Sequence, residues 1–200
     1  VPPRLLLDMD VGIWETEFSR DGEWLVVRAD DQASFGDIYT RRLRGDTTLA
    51  MIYSDSSFNT QIALAPDSRW LAFTSDHSGR AEIYVEPMAR TGAKWLVSGR
   101  GGKAPRWSAG GRELLYVEPA PREADSTLTS VRVEPQGDGL AFSQATAVAP
   151  VPSLDIELAA GGRELLSHEH GVVFPVSPTT DHLGALLLAP LNIAWLLQAW

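Results

Sequence analysis

The chain has 200 residues, 44% of them hydrophobic, which is enough for one domain with its own core. Seventeen basic and 26 acidic residues give a formal net charge of −9, which excludes a large phosphate-neutralising surface and argues against nucleic acid as a partner. The absence of cysteine excludes disulfides, thiolate metal sites and a cysteine nucleophile.

The predicted elements are short strands joined by tight turns. The opening segment RLLLDMD, residues 4–10, is the first strand candidate, and its flanks carry no signal-peptide pattern. Apolar runs rich in Val, Ile, Tyr, Phe and Trp then alternate with Asp, Gly, Ser and Pro, which is typical of strands and turns. Four strands are clearest in the middle of the chain: QIALA from Gln61, RWLAFTS from Arg69, AEIYVEP from Ala81 and KWLVSG from Lys94.

An internal repeat organises these elements. Superposing EFSRDGEWLVV, ALAPDSRWLAF, RWSAGGRELLY and ELAAGGRELLS places Trp24, Trp70, Glu113 and Glu164 in one column, at offsets of 46, 43 and 51 residues. The Ile-Tyr pairs of GDIYTRRL and AEIYVEPM, which begin at Ile38 and Ile83, repeat at an offset of 45. Four antiparallel strands in a unit of about 45 residues are typical of a β-propeller blade.

The predicted fold is therefore all-β, with about four propeller blades of four antiparallel strands. The approximate blades are 10–58, 59–102, 103–152 and 153–200, and residues 1–9 are interpreted as the last strand of a preceding blade. The first turn of each unit, at Asp21-Gly22, Pro66-Asp67-Ser68, Gly110-Gly111 and Gly161-Gly162, is predicted to serve hairpin geometry. The tryptophans of these units, Trp24, Trp70, Trp95 and Trp107, are predicted to pack between blades rather than to stack on a ligand.

The patterns F-S-x-D-G-x-W-L, A-P-D-S-R-W-L-A-F and P-R-W-S-x-G-G-R-E-L-L-Y resemble the TolB-type propeller repeat, most closely the C-terminal propeller of bacterial receptor-type serine/threonine protein kinases. The resemblance is close from Glu15 to about Val117 and looser from Leu154 to Ser167. It implies a six-bladed ring, of which this chain would be the C-terminal part. A small closed ring of four blades is the alternative. An open arc would leave blade faces and edges uncovered, so self-association is expected.

Two segments depart from the repeat. From Val117 to Asp138 the chain carries a polar insertion, PAPREADSTLTS, ahead of the strand candidate TLTSVRVEP. It predicts a long inner loop in the third blade, of the kind that carries binding function. The last 18 residues, from Leu183 to Trp200, carry no charge. Because Pro190 and Asn192 interrupt this stretch and no Lys or Arg flanks it, closing strands of the last blade are favoured over a membrane span.

No catalytic residue, metal site or cofactor is predicted. A G-x-S-x-G nucleophile turn is absent around Ser54 and Ser167, and so are a phosphate loop and the kinase catalytic loop. Two groups were weighed as metal ligands, namely His168, Glu169, His170, Asp181 and His182 for zinc and Asp8, Asp10, Asp30, Asp31 and Asp37 for calcium. Neither group has the spacing of a metal site. In the loop SDHSGR, Asp76 and Arg80 are expected to bond the turn backbone or each other rather than a ligand.

The function that these observations favour is a non-catalytic binding or sensor module with a protein, peptide or glycan ligand. The kinase resemblance implies an extracytoplasmic location, with a cytoplasmic one as the alternative. The regulatory propeller of a prolyl-oligopeptidase-like serine peptidase is the alternative function. The binding residues are not predicted by the sequence.

Overall fold

The computed structural model describes residues 7–30, 35–89, 92–122, 125–151, 156–158, 164–167 and 173–175. Within these residues the chain forms antiparallel strands and no α-helix, so the predicted all-β fold is confirmed. The strands form four separate sheets, which we call blades 1 to 4 in chain order.

Each blade is a meander of consecutive strands. Blade 1 contains β1 (Gly12–Phe18), β2 (Trp24–Asp30), β3 (Phe35–Arg42) and β4 (Leu49–Tyr53). Blade 2 contains β5 (Asn59–Leu64), β6 (Trp70–Ser75), β7 (Glu82–Pro87) and β8 (Trp95–Leu96). Blade 3 contains β9 (Lys103–Trp107), β10 (Glu113–Glu118) and β11 (Ser126–Gln136), with β12 (Gly139–Phe142) and β13 (Thr146–Val151) both paired to β11. The described part of blade 4 is β14 (Ile156–Leu158), β15 (Glu164–Ser167) and β16 (Val173–Pro175).

The first turn of each of the first three blades has the same backbone geometry. Its key residue has a left-handed φ of 67° at Gly22, 57° at Ser68 and 68° at Gly111. Each of these residues donates its N–H to the carbonyl three positions earlier, at 2.8–3.0 Å. Hairpin geometry therefore accounts for the repeated turn residues. The fourth turn, Gly161-Gly162, lies outside the described residues.

Apolar side chains fill the space between neighbouring blades. The core between blades 2 and 3 includes Trp70 and Trp107, and the indole Nε1 of Trp107 donates to the carbonyl of Ala63 at 3.0 Å. Trp95 packs against the same core. Trp24 is half-exposed, and the Arg42 guanidinium lies 4.7 Å from its ring centre. Burying indoles of this size is a main source of stability between blades.

The first strands of blades 1, 2 and 3 lie side by side, and polar side chains link them. The Glu15 carboxylate accepts the backbone N–H of Gln61 at 2.9 Å, and the Gln61 side-chain oxygen accepts the N–H of Ala104 at 2.8 Å. Both accepted N–H groups belong to residues with left-handed φ, 56° at Gln61 and 52° at Ala104. We call this chain of contacts the inner-strand ladder. It follows the sequence repeat, so each rung stabilises one blade against the next.

Blade 1 presents a second apolar face on the side away from blade 2. Phe18 and Leu25 occupy the repeat positions of Leu64 and Leu71, which are buried against blade 1. On this face Phe18 is 47% exposed, and Ile13, which pairs with Ala29, is 43% exposed. The half-buried Leu7, Met9 and Val11 pack over Leu25, Val27 and Ala29. Residues 7–10, which belong to the predicted first strand, are not in a strand, and residues 4–6 lie outside the described part of the chain.

One side-chain hydrogen bond joins blade 1 directly to blade 3. In the first turn of blade 1, Arg20 donates through Nη1 to the carbonyl of Ala109, in the first turn of blade 3, at 3.1 Å. The first turns of blades 1 and 3 are thus tied together at one end of the assembly. We call this the turn end, and the opposite end the loop end.

The apolar tail from Leu183 to Trp200 lies outside the described residues, so its interpretation as closing strands stays a prediction. In the ranges described above, no helix has the length and apolar character needed to cross a bilayer.

Candidate functional site

A groove of about 430 Å³ lies between blades 2 and 3 at the turn end. It is lined by Ala65, Pro66, Asp67, Trp70, Trp107, Gly110, Gly111, Arg112, Val133, Pro135 and Leu140. The first turns of the two blades contribute one part of this lining, Trp70 on β6 and Trp107 on β9 contribute another, and β11 and β12 contribute the rest. A volume of this size suits a small organic molecule or a few residues of a peptide.

The β11–β12 hairpin is an addition to the repeat. In blades 1 and 2 the third strand ends at Arg42 and at Pro87. The next residue, Leu43 or Met88, closes the strand pair by donating its N–H to the carbonyl of Glu23 or Arg69. Val133 makes the equivalent bond to the Arg112 carbonyl at 2.9 Å. After Val133, however, β11 continues to Gln136 and returns through β12. The groove walls at Pro135 and Leu140 therefore have no counterpart in blades 1 and 2.

The hairpin is held against blade 2 by close packing. A Cβ on Gly139 would lie 2.9 Å from the Cζ2 atom of Trp95, so only glycine fits there without a shift. Trp95 in turn meets Trp70 edge-on, with ring centres 5.6 Å apart. Because Trp70 also forms the groove floor, the hairpin and the floor belong to one packed unit. The shape of the groove is thus set by packing within the chain itself.

The groove combines an apolar floor with two opposite charges. Trp70 and Trp107, which are only 7% and 5% exposed, line it together with the aliphatic side chain of Leu140. Asp67 and Arg112 are exposed lining residues. Asp67 lies in the turn of blade 2, where its Oδ1 accepts the N–H of Arg69 at 3.0 Å, and Arg112 follows the turn of blade 3. The two turns thus contribute one acidic and one basic side chain.

A polar cluster at the loop end is centred on Asp55. Its Oδ1 accepts the N–H of Ser57 at 2.8 Å, and its Oδ2 accepts the Tyr53 hydroxyl and lies 3.0 Å from His77 Nδ1. Burial by itself would raise the pKa of Asp55, but hydrogen bonds from Tyr53, Ser57 and Asn59 lower it to about 2. Burial and the Asp55 charge raise the pKa of Tyr53 above its ordinary value. The cluster is thus a network of hydrogen bonds around an ionised carboxylate.

Ser57, His77 and Asp55 do not form a catalytic triad. The Nδ1 atom of His77 lies 3.3 Å from the Ser57 hydroxyl and 3.0 Å from Asp55, so both contacts use the same ring nitrogen. A general base needs one nitrogen for the nucleophile and the other for the carboxylate. In addition, Ser57 is only 8% exposed. This arrangement suits a structural role.

Lys94 connects the same cluster to blade 2. Its Nζ donates to the Tyr53 hydroxyl at 2.7 Å and lies 4.8 Å and 5.1 Å from the ring centres of Tyr53 and Tyr84. Burial raises the pKa of the nearby Glu86 to about 7, while the Lys94 charge acts in the opposite direction. An ammonium on two aromatic rings is a stabilising contact, and here the chain's own lysine provides it.

The structure places the two singled-out loop residues in separate contacts. Asp76 Oδ1 accepts the N–H of Phe58 at 2.7 Å. Arg80 pairs with Glu82, which is 1% exposed, and donates through Nη2 to the Gly99 carbonyl at 2.6 Å. Asp76 and Arg80 thus bond loop backbone and a buried carboxylate, and they do not bond each other.

The residues weighed as metal ligands are spread over the structure. Asp8 and Asp10 are exposed, Asp30 pairs with Arg28 at 2.9 Å, and Asp37 is buried with the Tyr39 hydroxyl 3.4 Å away. Asp31, His168, Glu169, His170, Asp181 and His182 lie outside the described residues. Across the part of the chain that the structure describes, no group of three or more His, Asp or Glu side chains is arranged to hold a metal ion.

Comparison with known proteins identifies the fold. No protein-family model matches the chain. TolB from Acinetobacter baumannii is similar in structure, with a TM-score of 0.60 and 20% identity over 79% of this chain and 39% of TolB. The fold is a TolB-like β-propeller. The chain therefore spans well under half the length of TolB.

Two further solved structures share the architecture. Prolyl oligopeptidase B from Galerina marginata has a TM-score of 0.53 and 13% identity over 78% of this chain and 24% of its own. A chain of a nidogen–laminin complex has a TM-score of 0.54 and 13% identity over 78% of this chain and 59% of its own. At these identities the likeness shows the fold alone.

Sequence reasoning missed the groove because it interpreted the third-blade insertion, from Val117 to Asp138, as a long loop. Ser126–Gln136 is instead one continuous strand, and the groove wall is the hairpin that this strand forms with β12. The segment Gln136-Gly137-Asp138-Gly139 carried a turn signal between two short apolar runs. That signal predicts the hairpin, but its packing on Trp95 follows only from the three-dimensional arrangement.

Proposed function

We propose that this chain is a non-catalytic β-propeller module of a larger bacterial protein and that it binds a protein or peptide. The groove between blades 2 and 3 carries the proposal, because its outer wall is a hairpin that blades 1 and 2 lack. An addition to a repeat that creates a pre-formed concave surface with few charges is typical of a recognition site. The polar cluster at the loop end supports the non-catalytic assignment, since its histidine is not arranged as a general base.

The parent protein we propose is a receptor-type serine/threonine kinase, in which the propeller is the extracytoplasmic sensing part. The repeat patterns around Trp24, Trp70 and Trp107 support this assignment through their resemblance to kinase propellers. A regulatory propeller of a prolyl-oligopeptidase-like peptidase is the second candidate, supported by the structural likeness to prolyl oligopeptidase B. The open reading frame that contains this sequence distinguishes the two. A kinase domain followed by a membrane helix supports the first, and an α/β domain with a nucleophile turn supports the second.

The binding assignment is tested on the purified chain. We expect no turnover of peptide, ester or phosphoester substrates and saturable capture of a binding partner from an envelope extract of the source bacterium. Capture should fall at least tenfold for Leu140→Asp, which places a charge in the groove wall, and should persist for Val148→Asp, an exposed site on β13. Both variants need a native near-ultraviolet circular dichroism spectrum. Turnover of any of these substrates, or capture that both variants preserve, would contradict the assignment.

A further inference from the structure

We infer that the groove between blades 2 and 3 recognises a short peptide segment in which an apolar side chain is flanked by one basic and one acidic residue. The inference rests on the proposed binding function and specifies its ligand. It depends on the groove's shape, its apolar floor and the two charges on its turns.

The apolar part of the groove selects an aliphatic or aromatic side chain. Trp70, Trp107, Val133 and Leu140 line the floor and wall and are each 5–7% exposed, so they present a narrow apolar surface beside the polar groups of the two turns. The Trp107 Nε1 donor is already occupied by the Ala63 carbonyl. An apolar group placed there removes hydrocarbon surface from water on both partners.

The same geometry disfavours a glycan. Sugar rings stack on exposed aromatic faces, whereas the two indoles in this groove are almost fully buried. A glycan would also need several polar side chains in the floor. The described lining offers its charges only at the exposed Asp67 and Arg112. A peptide fits this distribution better.

The charges of Asp67 and Arg112 determine which residues of the peptide flank its apolar side chain. Asp67 belongs to the turn of blade 2 and Arg112 to blade 3, so a segment lying across the groove meets a carboxylate on one side and a guanidinium on the other. A basic residue complements Asp67, and an acidic residue complements Arg112. Because Asp67 and Arg112 are exposed, these contacts contribute mainly to orientation and choice of sequence.

The test uses three blocked tripeptides, acetyl-Lys-Leu-Glu-amide, acetyl-Glu-Leu-Lys-amide and acetyl-Lys-Ser-Glu-amide. Binding is followed through the indole N–H signals of the ¹⁵N-labelled chain. One of the two Leu peptides should shift the Trp70 and Trp107 signals saturably with a Kd of about 1 mM, a typical value for so small a ligand. The reversed Leu peptide and the Ser peptide should each bind at least tenfold more weakly. The exposed Trp14 should not respond.

Variants of Arg112 and Asp67 test whether the charges on the two turns take part in binding. Arg112→Glu should weaken the preferred peptide at least tenfold, while Arg122→Glu, an exposed reversal elsewhere on blade 3, should leave it unchanged. The double variant Asp67→Lys/Arg112→Glu should exchange the preference between the two Leu peptides. Retained Trp70 and Trp107 signals show that each variant is folded.

Several results would overturn the inference: equal binding of the two Leu peptides, no shift of Trp70 or Trp107 at 10 mM peptide, or a response to cellotriose alone. Binding of the preferred peptide that Arg112→Glu leaves unchanged would also overturn it. If the peptides fail while the chain still captures a partner that Leu140→Asp abolishes, the ligand class is wrong and the proposed function stands. If the chain also captures no partner, both the ligand class and the proposed function are wrong.

Discussion

Single side chains determine how the blades hold together. Gln61 has a left-handed backbone, and its side-chain oxygen accepts the Thr74 hydroxyl at 2.9 Å as well as the N–H of Ala104. Ala104 is 8% exposed, so its N–H has little access to water if Gln61 is shortened. A buried donor without a partner costs more than the hydrogen bond itself contributed.

We expect Gln61→Ala to lower the free energy of unfolding by about 1–3 kcal/mol. Gln61→Glu keeps an acceptor at the same place, as Glu15 does one blade earlier. It should lower the free energy of unfolding clearly less than Gln61→Ala does. Urea denaturation of the two variants measures the difference. Equal losses would show that the ladder contact at Ala104 contributes nothing.

Glu17 makes the contact between blades 1 and 2 sensitive to pH. Burial raises its pKa to about 7, the N–H of Leu64 and the Arg106 charge oppose this, and the Glu15 charge adds to it. The unfolded chain releases this proton near the ordinary value of about 4.5. The folded state therefore binds more protons between these two values, and its stability falls as the pH rises through that window.

Glu17→Gln removes this titration and retains an acceptor for Leu64. From about pH 5 to about pH 8, we expect the variant to gain roughly 1–3 kcal/mol of stability relative to the parent chain. Thermal or urea unfolding across the pH range gives the comparison, with the exposed Glu134→Gln as the control. A difference that is constant with pH would place the Glu17 pKa near its ordinary value.

Among the elements, the first turns are the part that the sequence predicts best. Gly22, Ser68 and Gly111 share a left-handed φ because the hairpin geometry demands it, and local residue types carry that demand. The β11–β12 hairpin carried a turn signal as well, but its contact with Trp95 depends on the placement of two blades. The ladder from Glu15 to Ala104 was not predictable either, since register and inter-blade distance determine which N–H a side chain reaches.

Ser68 is the non-glycine member of the turn set. A left-handed conformation costs an L-residue about 1–2 kcal/mol, and the greater flexibility of glycine in the unfolded chain offsets part of that cost. We expect Ser68→Gly to stabilise the chain by about 0.5–1 kcal/mol. The matched control is Ser78→Gly, in a turn where Gly79 already has the left-handed φ of 89°. It should be neutral or slightly destabilising, and a stabilisation as large as that of Ser68→Gly would remove the conformational explanation.

At the scale of the molecule, the repeat predicted the number and order of strands in blade 2, although β8 has only two residues. The sequence could not show which blade faces are covered. Blade 1 leaves Trp14, Phe18 and Met51 at least 41% exposed, although Phe18 occupies the repeat position of the buried Leu64. A face built for blade packing and left partly open is expected to associate with a similar face.

We therefore expect the isolated chain to self-associate through blade 1. Phe18→Asp should weaken the association at least tenfold, equivalent to about 1.4 kcal/mol. Leu96→Ser, at a 52% exposed position on the edge of blade 2, is the control and should leave the association unchanged. Sedimentation equilibrium measures both. A parent chain that stays monomeric at high concentration would contradict the expectation.

The bond from Arg20 to the Ala109 carbonyl has a mechanical consequence for recognition. Ala109 directly precedes Gly110, Gly111 and Arg112, which line the groove. Because Arg20 belongs to blade 1, this contact links the blade 3 part of the lining to blade 1 without involving blade 2. The groove therefore does not depend on blades 2 and 3 alone, since one part of its lining is held from blade 1.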